Sequence, residues 1–429
     1  MKVLVAQNLL STQSAASELQ KVKIMPKLAE FIQKIPSTDK NRLIYLFGIV
    51  VLLFALFDGI ITYLIPLVIL EHGLSKTLIG IIMSSAAVSG AFFDFVIYKI
   101  FKNPVYRRLF IVMFAVSLVY IFVIWHAGSF VLYILAMAMW GFYYDLRNFG
   151  TMDFNCRYFP KQGQAANFGL IQVFQSLGCL LAPLIAGFLI IDMVGNKPFF
   201  AALLFLVISI IFFILLVLQT RKARQFIPEK PVSRTSLSEE ISLWKETGKI
   251  ILPVLILGLF CTVIDSFFIT LGPLFAENLP IEPFDGIFMF AYLLPALIMG
   301  SFVGKITKKF GDKNSIIFGL LIGSLVLSFF YFSKTPLMLI LIMFTAFCFI
   351  SVVSPITHGV YAHYIHKSPK ARKEIQELGD FFENIGYIIG PIIAGIIADQ
   401  LGIQATFSVL GIVGLAFAML LIFTMPKNV

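Results

Sequence analysis

Apolar residues run through this chain in stretches longer than a soluble core uses. Twelve such runs stand near 44–70, 77–99, 108–126, 130–152, 166–192, 198–219, 249–275, 285–307, 314–332, 336–362, 378–399 and 405–425. A helix rises ~1.5 Å per residue, and a hydrocarbon core is about 30 Å thick, so each run has the length of a span. In hydrocarbon a backbone must satisfy its own hydrogen bonds, which runs of this kind do as helices. The composition agrees, with 59% hydrophobic and 13% charged residues, against roughly half and a quarter in soluble domains. The expected fold class is an all-α integral membrane protein with 12 transmembrane helices. Spans three and nine are the shortest.

Basic residues stay on the cytoplasmic side during insertion. With the N-terminus inside, 29 of the 33 Lys and Arg fall in the inside segments 1–42, 99–108, 153–165, 220–249, 305–313, 363–377 and 426–429. Only Lys76, Lys197 and Lys334 fall outside, and Arg147 lies within a span. Both termini are therefore expected in the cytoplasm. The net charge of +10 reads as a topology signal with attraction to anionic headgroups, and no nucleic-acid role is expected. Cys156, Cys179, Cys261 and Cys348 show no CxxC spacing and read as small packing residues. His358, His363 and His366 do not share one helix face, so no metal site is expected, and no cofactor. Residues 15–36 fit either a basic amphipathic helix on the inner leaflet or a disordered tail. Few cysteines and short outside loops suit a bacterial inner membrane.

The polar stretch 220-TRKARQFIPEKPVSRTSLSEEISLWKETGK-249 divides six spans from six. It gives a cytoplasmic N-terminal segment (1–42), a first bundle (43–219), a linker (220–248), a second bundle (249–425) and a tail (426–429). A surface helix is expected at 238–247. The halves repeat one another. The stretch 57-FDGIITYLIPL-67 returns as 264-IDSFFITLGPL-274, and 178-GCLLAPLIAG-187 as 386-GYIIGPIIAG-395, at offsets of 207 and 208. Two motifs at nearly one shift indicate duplicated six-helix bundles in parallel, related by pseudo-symmetry.

Over residues 43–425 this organisation resembles the major facilitator superfamily. The family's loop signature G-x-x-x-D-[RK]-x-G-[RK]-[RK] is matched in 304-GKITKKFGDK-313 by Gly304, Lys309, Gly311 and Lys313, with Lys308 in the acid's place. The first copy keeps Gly90 and Asp94 and then drifts. The resemblance implies that these residues gate the cytoplasmic ends. Gly178, Pro183 and Gly187 in span five, and Gly386, Gly390, Pro391 and Gly395 in span eleven, resemble the Gly–Pro signature of the family's proton-coupled antiporters. Small residues four apart also let helices pack closely, with no bearing on direction.

Buried acids carry the functional reading. A charge at the bilayer centre costs ~2.5–3.5 kcal/mol on insertion scales, so such groups face a cavity or a partner. Asp58 and Asp265 sit near mid-membrane in spans one and seven, which line the central cavity if the resemblance holds. They read as proton or cationic-substrate sites, or as structural hydrogen bonds at helix breaks. Asp145 and Arg147 are two apart and point to different faces; Arg147 either neutralises a buried acid or holds an anionic group of a substrate. Trp140, Tyr143 and Tyr144 offer stacking surfaces or interfacial anchors. Asp153 and Arg157 read as a surface ion pair, Asp380 as charge at a helix start, Glu383 as a gating or coupling group, and His358 as a cavity polar group.

The function expected is secondary transport of a small organic solute by alternating access, coupled to protons, with Asp58 the principal site and Asp265 its partner. Export by antiport is slightly favoured over import or facilitation. A non-transporting receptor is a further alternative. A membrane enzyme is not expected, because no HExxH, paired histidine boxes or phosphate-binding glycine loop occurs. The protein is expected to work as a monomer in the bilayer.

Overall fold

The computed structural model describes residues 39–100, 105–191, 193–220, 237–281, 284–367 and 372–425. Among the described residues six helices form the first bundle: α1 (Asp39–Glu71), α2 (Lys76–Ile100), α3 (Tyr106–Trp125), α4 (Phe130–Tyr158), α5 (Lys161–Leu189) and α6 (Asn196–Thr220). The second holds α7 (Leu237–Ala276), α8 (Ile287–Met299), α9 (Val303–Phe310), α10 (Asp312–Ser328), α11 (Pro336–Ile350), α12 (Val353–Lys367), α13 (Arg372–Leu401) and α14 (Ile403–Thr424). Among the described residues ten segments are long and apolar enough to cross a membrane, and the bent pair α8–α9 makes eleven. The remaining span of the sequence reading is α4. It has the length, at 29 residues, but Asp145, Arg147, Asp153 and Arg157 make its second half polar.

Three elements differ from the sequence expectation. Span eight is broken, with α9 turned 63° from α8. At the break the backbone tightens into bonds from Ser301 N–H to the Ile298 carbonyl and from Phe302 N–H to the Met299 carbonyl, which end the α-helical ladder. Span ten is α11 followed by α12. The interruption at 351–352 has a cause in Pro355, which has no N–H to offer the Ser351 carbonyl. The surface helix expected at 238–247 is continuous with span seven, making α7 a single helix of 40 residues. The helix or tail expected at 15–36, most of the linker, and the tail 426–429 lie outside the described residues.

Each bundle is centred on stacked rings. Phe47 of α1 stacks on Phe154 of α4 at 4.0 Å, and Phe110 of α3 on Phe213 of α6 at 5.3 Å. In the second bundle Phe268 of α7 lies between Phe407 of α14 at 4.5 Å and Tyr292 of α8 at 4.8 Å. Each such pair contributes about 0.5–1.5 kcal/mol beyond its burial, so many of the 46 Phe do packing work away from lipid. Asp153 is more than a surface partner of Arg157. The two pair at 2.8 Å, half-buried, and Asp153 also accepts the Tyr106 N–H at the start of α3, which ties α3 to α4.

The bundles meet through α2 with α13, α5 with α8, and α1 with α7. The close contacts gather at the end bearing the α1–α2 turn, termed the outer end from the topology expected above. The repeated glycine motifs build them. A Cβ on Gly178 would strike α1 at the Leu52 carbonyl (2.6 Å), and one on Gly386 would strike α7 at the Leu259 carbonyl (2.6 Å). Further along each motif the neighbour belongs to the opposite bundle. Gly187 and Pro183 lie against Gly286 at the start of α8, while Gly395 lies against Lys76 at the start of α2. Small residues are required there because two backbones share the space.

Candidate functional site

The acid of α1 is held by one face of α4. Trp140, Tyr143 and Arg147 fall at i, i+3 and i+7, so they project together. Trp140 Nε1–H donates to Asp58 Oδ1 at 2.9 Å, and Tyr143 O–H donates to the same oxygen at 2.5 Å. Arg147 Nη1 stands 3.9 Å from Asp58 Oδ2, beyond hydrogen-bond length but close in charge terms. Asp58 is 7% exposed and Arg147 2%. The guanidinium also lies over the Tyr144 ring, 4.3 Å from its centroid, where a cation–π contact adds to its stabilisation. Asp58 is thus a compensated charge, with two donors and a cation gathered around it. Of the two roles the sequence leaves open for Arg147, this geometry is that of the neutraliser. Asp145 points elsewhere, toward Gly90 of α2, whose added Cβ would lie 3.4 Å from its Oδ2.

The acid of α7 is held differently. Asp265 Oδ1 accepts from Tyr292 O–H of α8 at 2.9 Å. Among the described residues no Lys, Arg or His forms an ion pair with it. Tyr387 of α13 lies within electrostatic reach of Asp265 and Glu383, and also of Tyr144 in the other bundle. Glu383, one turn before Tyr387, has its Oε1 3.5 Å from His358 Nε2 of α12. His358 is well exposed, its side chain 58% accessible. The repeated acids are therefore equivalent in position and unlike in environment.

Polar side chains exposed within spans mark where water reaches between the bundles, since lipid disfavours them. Asn148 of α4, Gln172 of α5, His358 of α12 and Asp380 of α13 are of this kind. Gln172 lies three turns before Pro183 on the same face of α5, and Asp380 three turns before Pro391 on the same face of α13. Both therefore look toward the opposite bundle, inward of the outer contacts. Asp380 stands well inside α13, which begins at Arg372, and is not the helix-start charge expected of it.

The outer contacts include three polar links. Tyr63 O–H donates to Glu277 Oε1 at 2.7 Å. Asp399, at the end of α13, accepts the N–H groups of Lys76 (3.0 Å) and Thr77 (2.8 Å) and the Thr77 hydroxyl (2.6 Å). It caps the first turn of α2 from the other bundle, with Lys76 Nζ 3.7 Å away. Sequence reading missed Asp399 and Glu277; each partner lies more than two hundred residues away.

The family-like loop residues have other local work. Gly311 has φ +76°, a left-handed conformation suited to glycine, and forms the turn from α9 into α10. Lys313 Nζ donates to the carbonyls of Ile422 and Met425 at 3.2 and 2.6 Å, at the C-terminal end of α14, where a cation is favoured. Lys309 lies over the Phe310 ring at 5.1 Å. A Cβ on Gly304 would meet open space. Asp94 falls in α2, and its side chain lies outside the described residues.

The sequence profile described as Major Facilitator Superfamily matches residues 47–374 and 255–429. Comparison with curated proteins gives no match. Among solved structures, the nucleoside transporter NupG superposes with a TM-score of 0.68 at 14% identity, covering 89% of this chain and 98% of that one. A bacterial homologue of the human lysosomal transporter Spinster, in an inward-facing and unoccupied conformation, gives 0.67 at 14% identity, covering 90% and 97%. At such identities the likeness is one of fold.

Proposed function

The chain belongs to the Major Facilitator Superfamily, and on that premise we propose that it is a proton-coupled secondary transporter of a small organic solute, working by alternating access. The bundles rock about their shared contacts, exposing the polar groups between them first to one side and then to the other. With both termini in the cytoplasm, as the basic residues favour, the outer contacts close the far side and the crevice opens inward. The bacterial inner membrane is the setting proposed.

The observation that carries proton coupling is the inequality of the two acids. Asp58 already has Arg147 beside it and two donors on one oxygen, so protonating it would strand a buried cation. Asp265 has one hydroxyl donor and, among the described residues, no cation in contact, so neutralising it strands nothing. The principal proton site accordingly moves from Asp58 to Asp265, with Glu383 and His358 as the route toward the crevice. Tyr144 and Tyr387 flank that crevice and suit a solute with a planar or apolar face. Export in exchange for protons is the direction proposed; its support is the likeness of the span-eleven Gly–Pro segment to antiporters, which also serves packing.

Proteoliposomes holding an internal pH dye, exposed to a solute library, test this. Wild-type protein should give solute-dependent proton flux, and Asp265→Asn should abolish the flux while solute exchange persists. Undiminished proton flux in Asp265→Asn would overturn the assignment.

A further inference from the structure

The element that the transport reading leaves unused is α9. It is eight residues long, turned 63° from α8, and none of its residues is fully buried. Lys305, Lys308 and Lys309 stand at i, i+3 and i+4, which places all three on one face. Val303, Ile306 and Phe310, at i, i+3 and i+7, share the opposite face. Val303 and Ile306 rest against the protein, while Phe302 (43% exposed) and Phe310 (48% exposed) flank the helix with open rings. Lys305 lies over the Phe302 ring at 5.6 Å and Lys309 over Phe310 at 5.1 Å.

Among the described residues none of these three lysines pairs with a carboxylate. Asp312, the nearest acid in sequence, sits in the first turn of α10, where the helix dipole favours its charge. Lys313 turns away to the end of α14. What remains is a short helix lying across the end of a span, with three exposed cations between two exposed aromatic rings. A free anion in water has no use for the rings, and an acyl chain alone has none for the lysines. A charged headgroup with its chains satisfies both.

We propose that α9 is a binding surface for anionic phospholipid. Lys305, Lys308 and Lys309 hold the headgroup phosphates while Phe302 and Phe310 enter the acyl boundary. Its occupant is a component of the bilayer, distinct from the transported solute.

The test uses the full-length protein, purified and reconstituted into nanodiscs of phosphatidylcholine mixed with phosphatidylglycerol, followed by native mass spectrometry of the lipids retained. Wild type should retain phosphatidylglycerol in preference to phosphatidylcholine. Changing all three lysines to Gln should reduce that preference by up to a hundredfold, on the order of fivefold per lysine, and changing all three to Arg should keep it. A nitroxide at F310C should report the depth of the headgroup–acyl boundary in the same discs. Three outcomes would each overturn the proposal: equal retention by the Gln variant, displacement of phosphatidylglycerol by inorganic phosphate, or a nitroxide with the accessibility of bulk water. If the Gln variant fails to fold, the phosphate competition and the nitroxide depth still decide, since both keep the lysines.

Discussion

Replacing Arg147 by Gln separates a compensated acid from a free one. At 3.9 Å, two unit charges interact by about 4 kcal/mol at an effective dielectric constant of about 20. Removing one member of a buried pair costs about 3–5 kcal/mol, because the other is left buried and charged. The Trp140 and Tyr143 donors remain in place, so Asp58 keeps its hydrogen bonds and loses only the cation. Arg147→Gln should therefore lower stability by about 3–5 kcal/mol. Asp58→Asn should also destabilise, since it strands the guanidinium. The double variant should be no less stable than either single variant, because the two losses overlap by a coupling of about 4 kcal/mol. Equilibrium unfolding in mixed micelles, followed by tryptophan fluorescence, measures all four proteins; Trp140 reports from within the network. Additive single losses, with coupling near zero, would refute the claim that Arg147 neutralises Asp58.

Other consequences concern the outer contacts. Asp399→Ala removes the cap that one bundle supplies to α2 of the other, and should weaken outer closure by about 1 kcal/mol. A cysteine at Ser75 should then react faster with a membrane-impermeant maleimide. Gly395→Leu places a side chain where the Lys76 backbone stands, so the outer end should stay open, with the same cysteine reactive throughout and transport lost. Unchanged reactivity in either variant would remove these contacts from the gate.

Much of the fold was legible because hydrocarbon is strict. Run length fixed the spans, the placement of Lys and Arg suggested their direction, and the repeat at 207–208 exposed the two bundles. Asp58 and Asp265 stood out because an acid in oil needs a reason. The face that answers Asp58 was also readable, since Trp140, Tyr143 and Arg147 fall at helical spacing on α4. Other features were not. Tyr292 meets Asp265 only through the packing of α7 on α8, and no pattern in the chain announces it. Asp399 caps a helix that begins over three hundred residues earlier, whereas sequence rules for caps look only to the residues beside the helix. The bend before α9, where the Ser301 and Phe302 N–H groups turn to the Ile298 and Met299 carbonyls, falls inside an unbroken apolar run that gives no sign of it.

The central claim is that the bundles rock about a crevice whose state follows protonation of Asp265. It is tested most directly by electron–electron distance measurement between nitroxides at Ser75 and Gln400, on the outer ends of α2 and α13, in a cysteine-replaced background. Lowering the pH should shift the population between a short distance, matching the closed outer end, and a longer one, and Asp265→Asn should abolish that shift. A single distance at every pH, or a shift that survives in Asp265→Asn, would contradict the account.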